Sequence, residues 1–271
     1  NKGWEVSGEY HGKTVDLSYS VGFNLSRIQN EWTDLKGTEF YPTNRIHREG
    51  EAMFSYYGWQ AIGIFQTDEE VANAATPSNS AAPGDIIYKD VSGPDGVPDG
   101  KIDDNDRVII GNPIPEFTYG LNGSLNYKGI DFAFLFQGVK NVDRYVSGTG
   151  NHAGNGDRAN WTPDWVNRWT AENPSTKYPR LGHNRDNDKQ SSYWVQDASY
   201  LRLKNLEIGY TFPQALSKKA GIERLRIYMS GQNLLTFTDY KNWDPEKAIG
   251  NIRSESYPLA KTYTLGVNLT F

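Results

Sequence analysis

The sequence holds no cysteine among its 271 residues, which excludes a disulfide framework and thiol-based zinc or redox chemistry. Histidine is almost as scarce. The four present (His11, His47, His152 and His183) show no metal-ligand spacing, which argues against a zinc enzyme. No apolar run approaches the roughly 18 residues that a membrane-spanning helix requires. That absence leaves a membrane barrel untouched, because the strands of a barrel are half polar. There is no basic block and the net charge is −5, so nucleic acid is not an expected partner. Gly-rich phosphate loops, nucleophile elbows and His-based triads are missing too. Acidic pairs such as Asp103/Asp104 have no fixed separation to support a glycosidase scheme. The chain reads as a non-enzyme. It does not begin with Met and shows no signal peptide, as expected of a mature or truncated product.

Aromatic rings are plentiful, with 17 Tyr and 8 Trp, and they sit in alternating segments. In "TVDLSYSVGFNLS", Val15, Leu17, Tyr19, Val21, Phe23 and Leu25 share one parity, and Asp16, Ser18, Ser20, Gly22, Asn24 and Ser26 the other. Side chains of a strand alternate with period two, so this run predicts a strand longer than the globular average. "GWEVSGEY" reads the same way, with "HGK" as the turn between the two. Phe117 to Tyr127 and Ile130 to Phe136 predict a hairpin with its turn at Lys128-Gly129. In "SYLRLKNLEIGYTF" the apolar parity slips near Lys204-Asn205, predicting a β-bulge or bend. "RLRIYMSGQNLLTFTDY", "GWQAIGIFQ" and "TYTLGVNLTF" bring the count to about eight strands.

The connections alternate between tight turns and long polar loops, at roughly 66–114, 139–192 and 239–258. A transmembrane barrel shows this pattern, and so does a β-sandwich with elaborate loops at one end. Strand length, the aromatic caps (Trp4, Tyr10, Tyr19, Tyr119, Tyr127 and Tyr210) and the final Phe271 favour lipid. The expected fold is all-β: an antiparallel transmembrane β-barrel segment with long extracellular loops. The alternative is a secreted carbohydrate-binding β-sandwich with a calcium-stiffened loop, and a surface glycosidase stands third.

Longer blocks are more specific. The stretch from "GDIIYKDVSGPDG" to "DFAFLFQGV", then "NPSTKYPRL", "SSYWVQDASYLRLKNLEIGYTFP", "LRIYMSGQNLLTFTDYKNWDPE" and "YPLAKTYTLGVNLTF" resemble the SusC/RagA family of TonB-dependent outer-membrane transporters. They occur in the family's order across nearly all of residues 50–271. The resemblance implies a 22-stranded barrel filled by an N-terminal plug and covered by a SusD-like surface lipoprotein. It further implies contact with the TonB complex through the N-terminal part, and import of oligosaccharides or peptides across the outer membrane of a Gram-negative bacterium of the Bacteroidetes. Residues 1–271 then correspond to the C-terminal part of that barrel, with outer-membrane lipid, the plug and the remaining strands as neighbours.

Three stretches are candidate sites. "DGVPDGKIDDND" has the spacing of a calcium loop: Asp95, Asp99, Asp103 and Asp106 at carboxylate positions, the Lys101 carbonyl between them, Gly100 at the sharp turn and Ile102 at the apolar position. Val97 and Pro98 depart from the pattern, Asp90 and Ser92 could compensate, and a solvated acidic turn is the plain alternative. In "NWTPDWVNRW", Trp161, Trp165 and Trp169 form a helical stripe, behind a Thr162-Pro163 cap, that either packs on the barrel rim or stacks on sugar. Finally, Tyr263, Leu265, Val267, Leu269 and Phe271 share the apolar face of the last segment. With the resemblance, they are expected to form the closing strand read by the outer-membrane insertion machinery. No substrate residue is legible.

Overall fold

The structure, a computed structural model, describes residues 1–78, 80–146, 163–181, 185–241, 243–246 and 259–271. Seven long strands form one antiparallel sheet in strict chain order. They are β1 (Lys2–Lys13), β2 (Leu17–Gln29), β3 (Phe117–Tyr127), β4 (Ile130–Lys140), β5 (Tyr200–Thr211), β6 (Arg224–Thr238) and β7 (Thr262–Thr270). β3 and β4 have 11 residues each. At about 3.4 Å per residue and a tilt of about 40°, that length spans about 28 Å, close to the apolar band of an outer-membrane barrel.

One face carries Val6, Val21, Phe23, Leu121, Ile208, Met229 and Leu265, all of them exposed. Nothing among the described residues covers this face, which removes the β-sandwich alternative: a sandwich would bury it beneath a second sheet. On it, aromatic rings from one strand lie over glycines of the next. A Cβ on Gly123 would sit 2.5 Å from the Phe134 ring, and one on Gly138 would sit 2.5 Å from Tyr119. Phe132, Phe134 and Phe136 stack down β4 at 6.0 and 5.9 Å. The opposite face is polar. There, Ser20 and Ser124 share a hydrogen bond of 2.8 Å, and Arg226 of β6 joins Asp131 of β4 to Glu207 of β5.

The bulge lies where the parity slips: both pairings of β5 shift register between Leu203 and Asn205. Leu206 pairs with Phe134 on one side of the slip and Leu203 with Phe136 on the other, so apolar stays beside apolar.

Two expectations need correction. The first turn is Thr14–Asp16 rather than "HGK". Thr14 closes it with hydrogen bonds to and from Leu17, so β1 runs on through Lys13 and Val15 is fully exposed. "GWQAIGIFQ" is not a wall strand. It splits into Tyr56–Trp59 and Ala61–Ile64, which pair with Arg107–Gly111 and Ile86–Tyr88 inside the first long connection. Apolar residues there answer a local core rather than lipid. Ile86 packs there with Tyr88 and Ile102, and Ile46, Phe65 and Val142, each at most 1% exposed, also lie between wall strands.

The tight turn at Lys128-Gly129 puts both central residues at positive φ (47° and 87°), as the two-residue hairpin twist demands. Gly129 also approaches β5, where a Cβ would lie 2.6 Å from the Thr211 carbonyl. In the intact barrel, Gly129→Ala should cost about 1–3 kcal/mol, and Lys128→Asn, which tolerates positive φ better, should gain about 0.5 kcal/mol. Denaturant midpoints read by heat-modifiable gel mobility would check both signs.

Candidate functional site

The three long connections lie at the sheet end opposite the tight turns, and they knit together through buried charge. Asp85, 1% exposed, accepts from Arg180 at 2.7 and 2.9 Å, from Asn187 Nδ2 at 2.9 Å and from the Ala82 amide at 3.0 Å. Asn187 accepts from the Ile86 amide, and the Tyr88 hydroxyl donates to the Asp186 carbonyl at 2.6 Å. Burial pushes the Tyr88 hydroxyl well above its usual range, so it stays a donor. This knot ties the first connection to the second.

A second knot ties the third connection to the wall. Arg202 of β5, 3% exposed, donates to Glu246 at 2.6 Å, Asp244 at 2.9 Å and Thr236 at 2.9 Å. Lys204 donates to both oxygens of Glu246, at 2.8 and 3.0 Å. Two cations against two carboxylates leave no net charge buried. Neither knot was expected. For the second knot the available signal was two cations, Arg202 and Lys204, at alternate positions beside the leucines of β5.

The acidic loop takes a different form from the one its spacing suggests. Asp106 is fully buried; one oxygen accepts from the Val91 and Ser92 amides at 2.7 and 3.1 Å, the other from the Asp103 amide at 2.8 Å. The Asp103 carboxylate accepts from the Asn105 amide at 2.7 Å, completing a capping box around the turn Asp104–Asp106. Asp99 accepts from the Lys101 amide at 3.0 Å, Asp90 accepts from the Gly100 amide at 2.7 Å, and Asp95 is exposed. Gly100 does make the sharp turn (φ 82°), and Ile102 does point inward, against Ile86 and Tyr88. But no three acidic, His or Cys side chains converge on a metal position among the described residues. In this structure the carboxylates of Asp99, Asp103 and Asp106 are turned to backbone amides, and the Lys101 amide donates to Asp99. A carboxylate in a tight turn meets backbone N–H groups two or three residues away, and these carboxylates serve them.

The tryptophan stripe is also corrected. Pro163–Asn167 is a single 3-10 turn, with Trp165 buried against Tyr178 at 5.9 Å and Trp194 at 6.5 Å. Trp169 donates to Gln66 at 3.1 Å. Both rings pack; Trp161 and Thr162 lie outside the described residues. β7 pairs with β6 from Thr262 to Thr270, and among the described residues no strand pairs with its other edge. Tyr263, Leu265, Val267, Leu269 and Phe271 are all exposed, on the apolar face of the sheet.

No protein-family model matches the chain. Among curated proteins it is 36% identical to TonB-dependent receptor P3 of Formosa agariphila, over all of this chain and 28% of that protein. It is 27% identical to TonB-dependent receptor SusC of Bacteroides thetaiotaomicron, over 95% of this chain and 25% of SusC. Among solved structures it matches the RagAB peptide transporter with a TM-score of 0.78 and 25% identity, over 98% of this chain and 29% of that one. The chain thus spans under a third of the relatives it matches.

Removing the Asp106 carboxylate would orphan three amides in a buried turn. Asp106→Ala should cost on the order of 3 kcal/mol and expose residues 90–106 to protease in the intact protein. The cost should be equal in EDTA and in millimolar calcium. A cost seen only with calcium present would restore the metal reading.

Proposed function

The chain belongs to the SusC/RagA family of TonB-dependent receptors, and on that premise we propose that it forms part of the wall of an outer-membrane transporter that imports bulky nutrients. The observation that carries this reading is the uncovered apolar face. A continuous sheet with Phe23, Leu121, Ile208, Met229 and Leu265 exposed is costly in water and at home in hydrocarbon.

In this reading the polar face, with Ser20, Asn24, Asn122 and Ser124, turns to a lumen filled by the plug. The wall contributes shape and hydrogen bonding rather than catalysis, and the protein is not an enzyme. The long connections lie on the extracellular side and meet a SusD-like lipoprotein. TonB acts through the N-terminal part of the transporter. Imported material is an oligosaccharide or a peptide. The knots centred on Asp85 and Arg202 hold the extracellular loops in fixed positions around the entrance.

Phe271, 83% exposed on the apolar side, serves assembly in this reading, as do the other outward residues of β7. Its burial in lipid contributes about 2–3 kcal/mol, too little to decide the stability of a barrel but enough for recognition by the insertion machinery. In the full-length protein, Phe271→Ala should lower the amount of folded barrel in the outer membrane. Uptake per folded molecule should stay nearly constant, because the ring faces away from the lumen. Normal insertion with impaired uptake would assign the strand to transport instead. Failure of the wild-type protein to fractionate with the outer membrane would end the reading altogether.

A further inference from the structure

At the tight-turn end, one connection is longer than a hairpin needs. Residues 14–16 join β1 to β2, and Lys128-Gly129 joins β3 to β4, but β5 and β6 are joined by residues 212–223. The sequence there builds a compact foot. Gln214–Ser217 is a helical turn, and the 3-10 turn Lys218–Ala220 follows it without a break. The chain enters through Pro213, whose carbonyl accepts from the Leu216 amide at 2.9 Å. It leaves through Gly221 at a φ of 71°, where the Gly221 and Ile222 amides donate to the Lys218 and Ser217 carbonyls, each at 3.1 Å. Ser217 is 4% exposed, and its hydroxyl lies 3.4 and 3.5 Å from the Gln214 and Glu223 carbonyl oxygens. The Phe212 amide donates to the Leu225 carbonyl at 2.9 Å, so the foot stands directly on the β5–β6 ladder.

Three side chains of the foot have no use within the chain. Leu216 is 58% exposed, and Lys218 and Lys219 are exposed beside it. The ion pairs at this end join Arg226 to Asp131 and Glu207, and Lys128 to Asp16; among the described residues none takes Lys218 or Lys219. An exposed leucine by itself means little. Its place is what counts. The apolar face of the sheet runs down to the foot: Tyr210 and Phe212 meet edge-on at 5.0 Å, with Ile227, Leu269 and Phe271 exposed on the same side. Aromatic rings mark the level at which hydrocarbon gives way to head groups. A leucine and two ammonium groups just beyond that level have the composition of an interfacial segment, with the apolar side chain among acyl chains and the cations at the phosphates.

The polar side of this end offers no competing occupant for the foot. A hollow of about 530 Å³ opens there, lined by Lys13, Asp131, Glu207, Thr211, Arg224 and Arg226 among others, and Leu216, Lys218 and Lys219 take no part in it. A domain filling the lumen would meet the hollow and leave the foot uncovered.

We propose that residues 212–223 form a membrane foot at the periplasmic rim, in which Leu216 enters the acyl boundary and Lys218 and Lys219 bind the phosphate of an anionic phospholipid. The proposal rests on the transporter-wall reading above and adds a lipid site to it. Charge sets the preference, since each lysine near an anionic surface favours binding about fivefold. The leucine ties that charge to a bilayer rather than to free phosphate.

The test uses the intact transporter in nanodiscs of phosphatidylcholine, alone or mixed with phosphatidylglycerol. Spin labels at position 216 and, as the reference in the lipid band, at position 208 should both be relaxed more by lipid-soluble oxygen than by a water-soluble nickel chelate. Native mass spectrometry of protein released from mixed discs should find phosphatidylglycerol enriched over phosphatidylcholine, and excess inorganic phosphate should not displace it. Lys218→Glu with Lys219→Glu should lower the enrichment at least about fivefold, and Lys218→Arg with Lys219→Arg should preserve it, both with unchanged heat-modifiable mobility. Enrichment unchanged by the charge reversal, or abolished by inorganic phosphate, would overturn the lipid site. The labels do not depend on the folding of that variant: position 216 open to nickel, with 208 open to oxygen, would put the foot in water and overturn the proposal alone. Nickel access at 208 as well would overturn the wall reading beneath it.

Discussion

In hydrocarbon, no water stands ready to take a hydrogen bond that the backbone leaves unmade, so each strand must find its partners within the sheet. That requirement accounts for most of what the wall looks like. Seven strands pair in chain order, whether joined by turns of two or three residues, as β1–β2 and β3–β4 are, or by the longer connections between the other neighbours. Crossovers would carry unpaired backbone through lipid. Among the described residues the outer edges of β1 and β7 have no partner strand, so they carry the same obligation. The stability of this segment in a bilayer is therefore not a property of the segment by itself.

The loops solve the opposite problem. With water available, backbone pairing is cheap, and position is what needs to be fixed. Side chains that the wall excludes do this. Asp85 saturates four donors and Arg202 reaches three acceptors, each joining segments far apart in sequence. A buried ion pair adds little net stability against an apolar substitute, but it tolerates only one geometry, and losing one partner is costly. The apolar residues between wall strands form the core that these pairs key into register. Wall and loops thus divide the work between pattern and specific contact.

That division also explains what was legible in advance. Period-two alternation is a strong signal, so all seven wall strands and the bulge at Lys204 could be placed to within a few residues, and the tight turn at Lys128-Gly129 was explicit. The segment at 58–66 was misplaced in the wall because a short apolar run has the same appearance in a local hairpin. Asp85 and Arg180 stand 95 positions apart, and nothing in the spacing of either predicts their meeting. In the acidic loop the sequence specified the turn and the inward Ile102, but spacing alone does not separate metal ligands from carboxylates that cap amides, as Asp103 and Asp106 do here. The resemblance supplied the architecture, while the contacts inside the loops had to be seen.

The bulge in β5 works as a gearbox between two alternating patterns. Below it, Leu206, Ile208 and Tyr210 are the lipid-side residues; above it, Leu201 and Leu203 are, and Arg202 turns inward to its carboxylates. Without the extra residue, the strand would have to choose between keeping its leucines in lipid and keeping its arginine out of it. With it, the loop end of the strand can be one residue longer or shorter while the band below keeps its phase. A frame change above the bulge need not travel down the strand, so the pairing of Leu206, Ile208 and Tyr210 is insulated from changes in the loops.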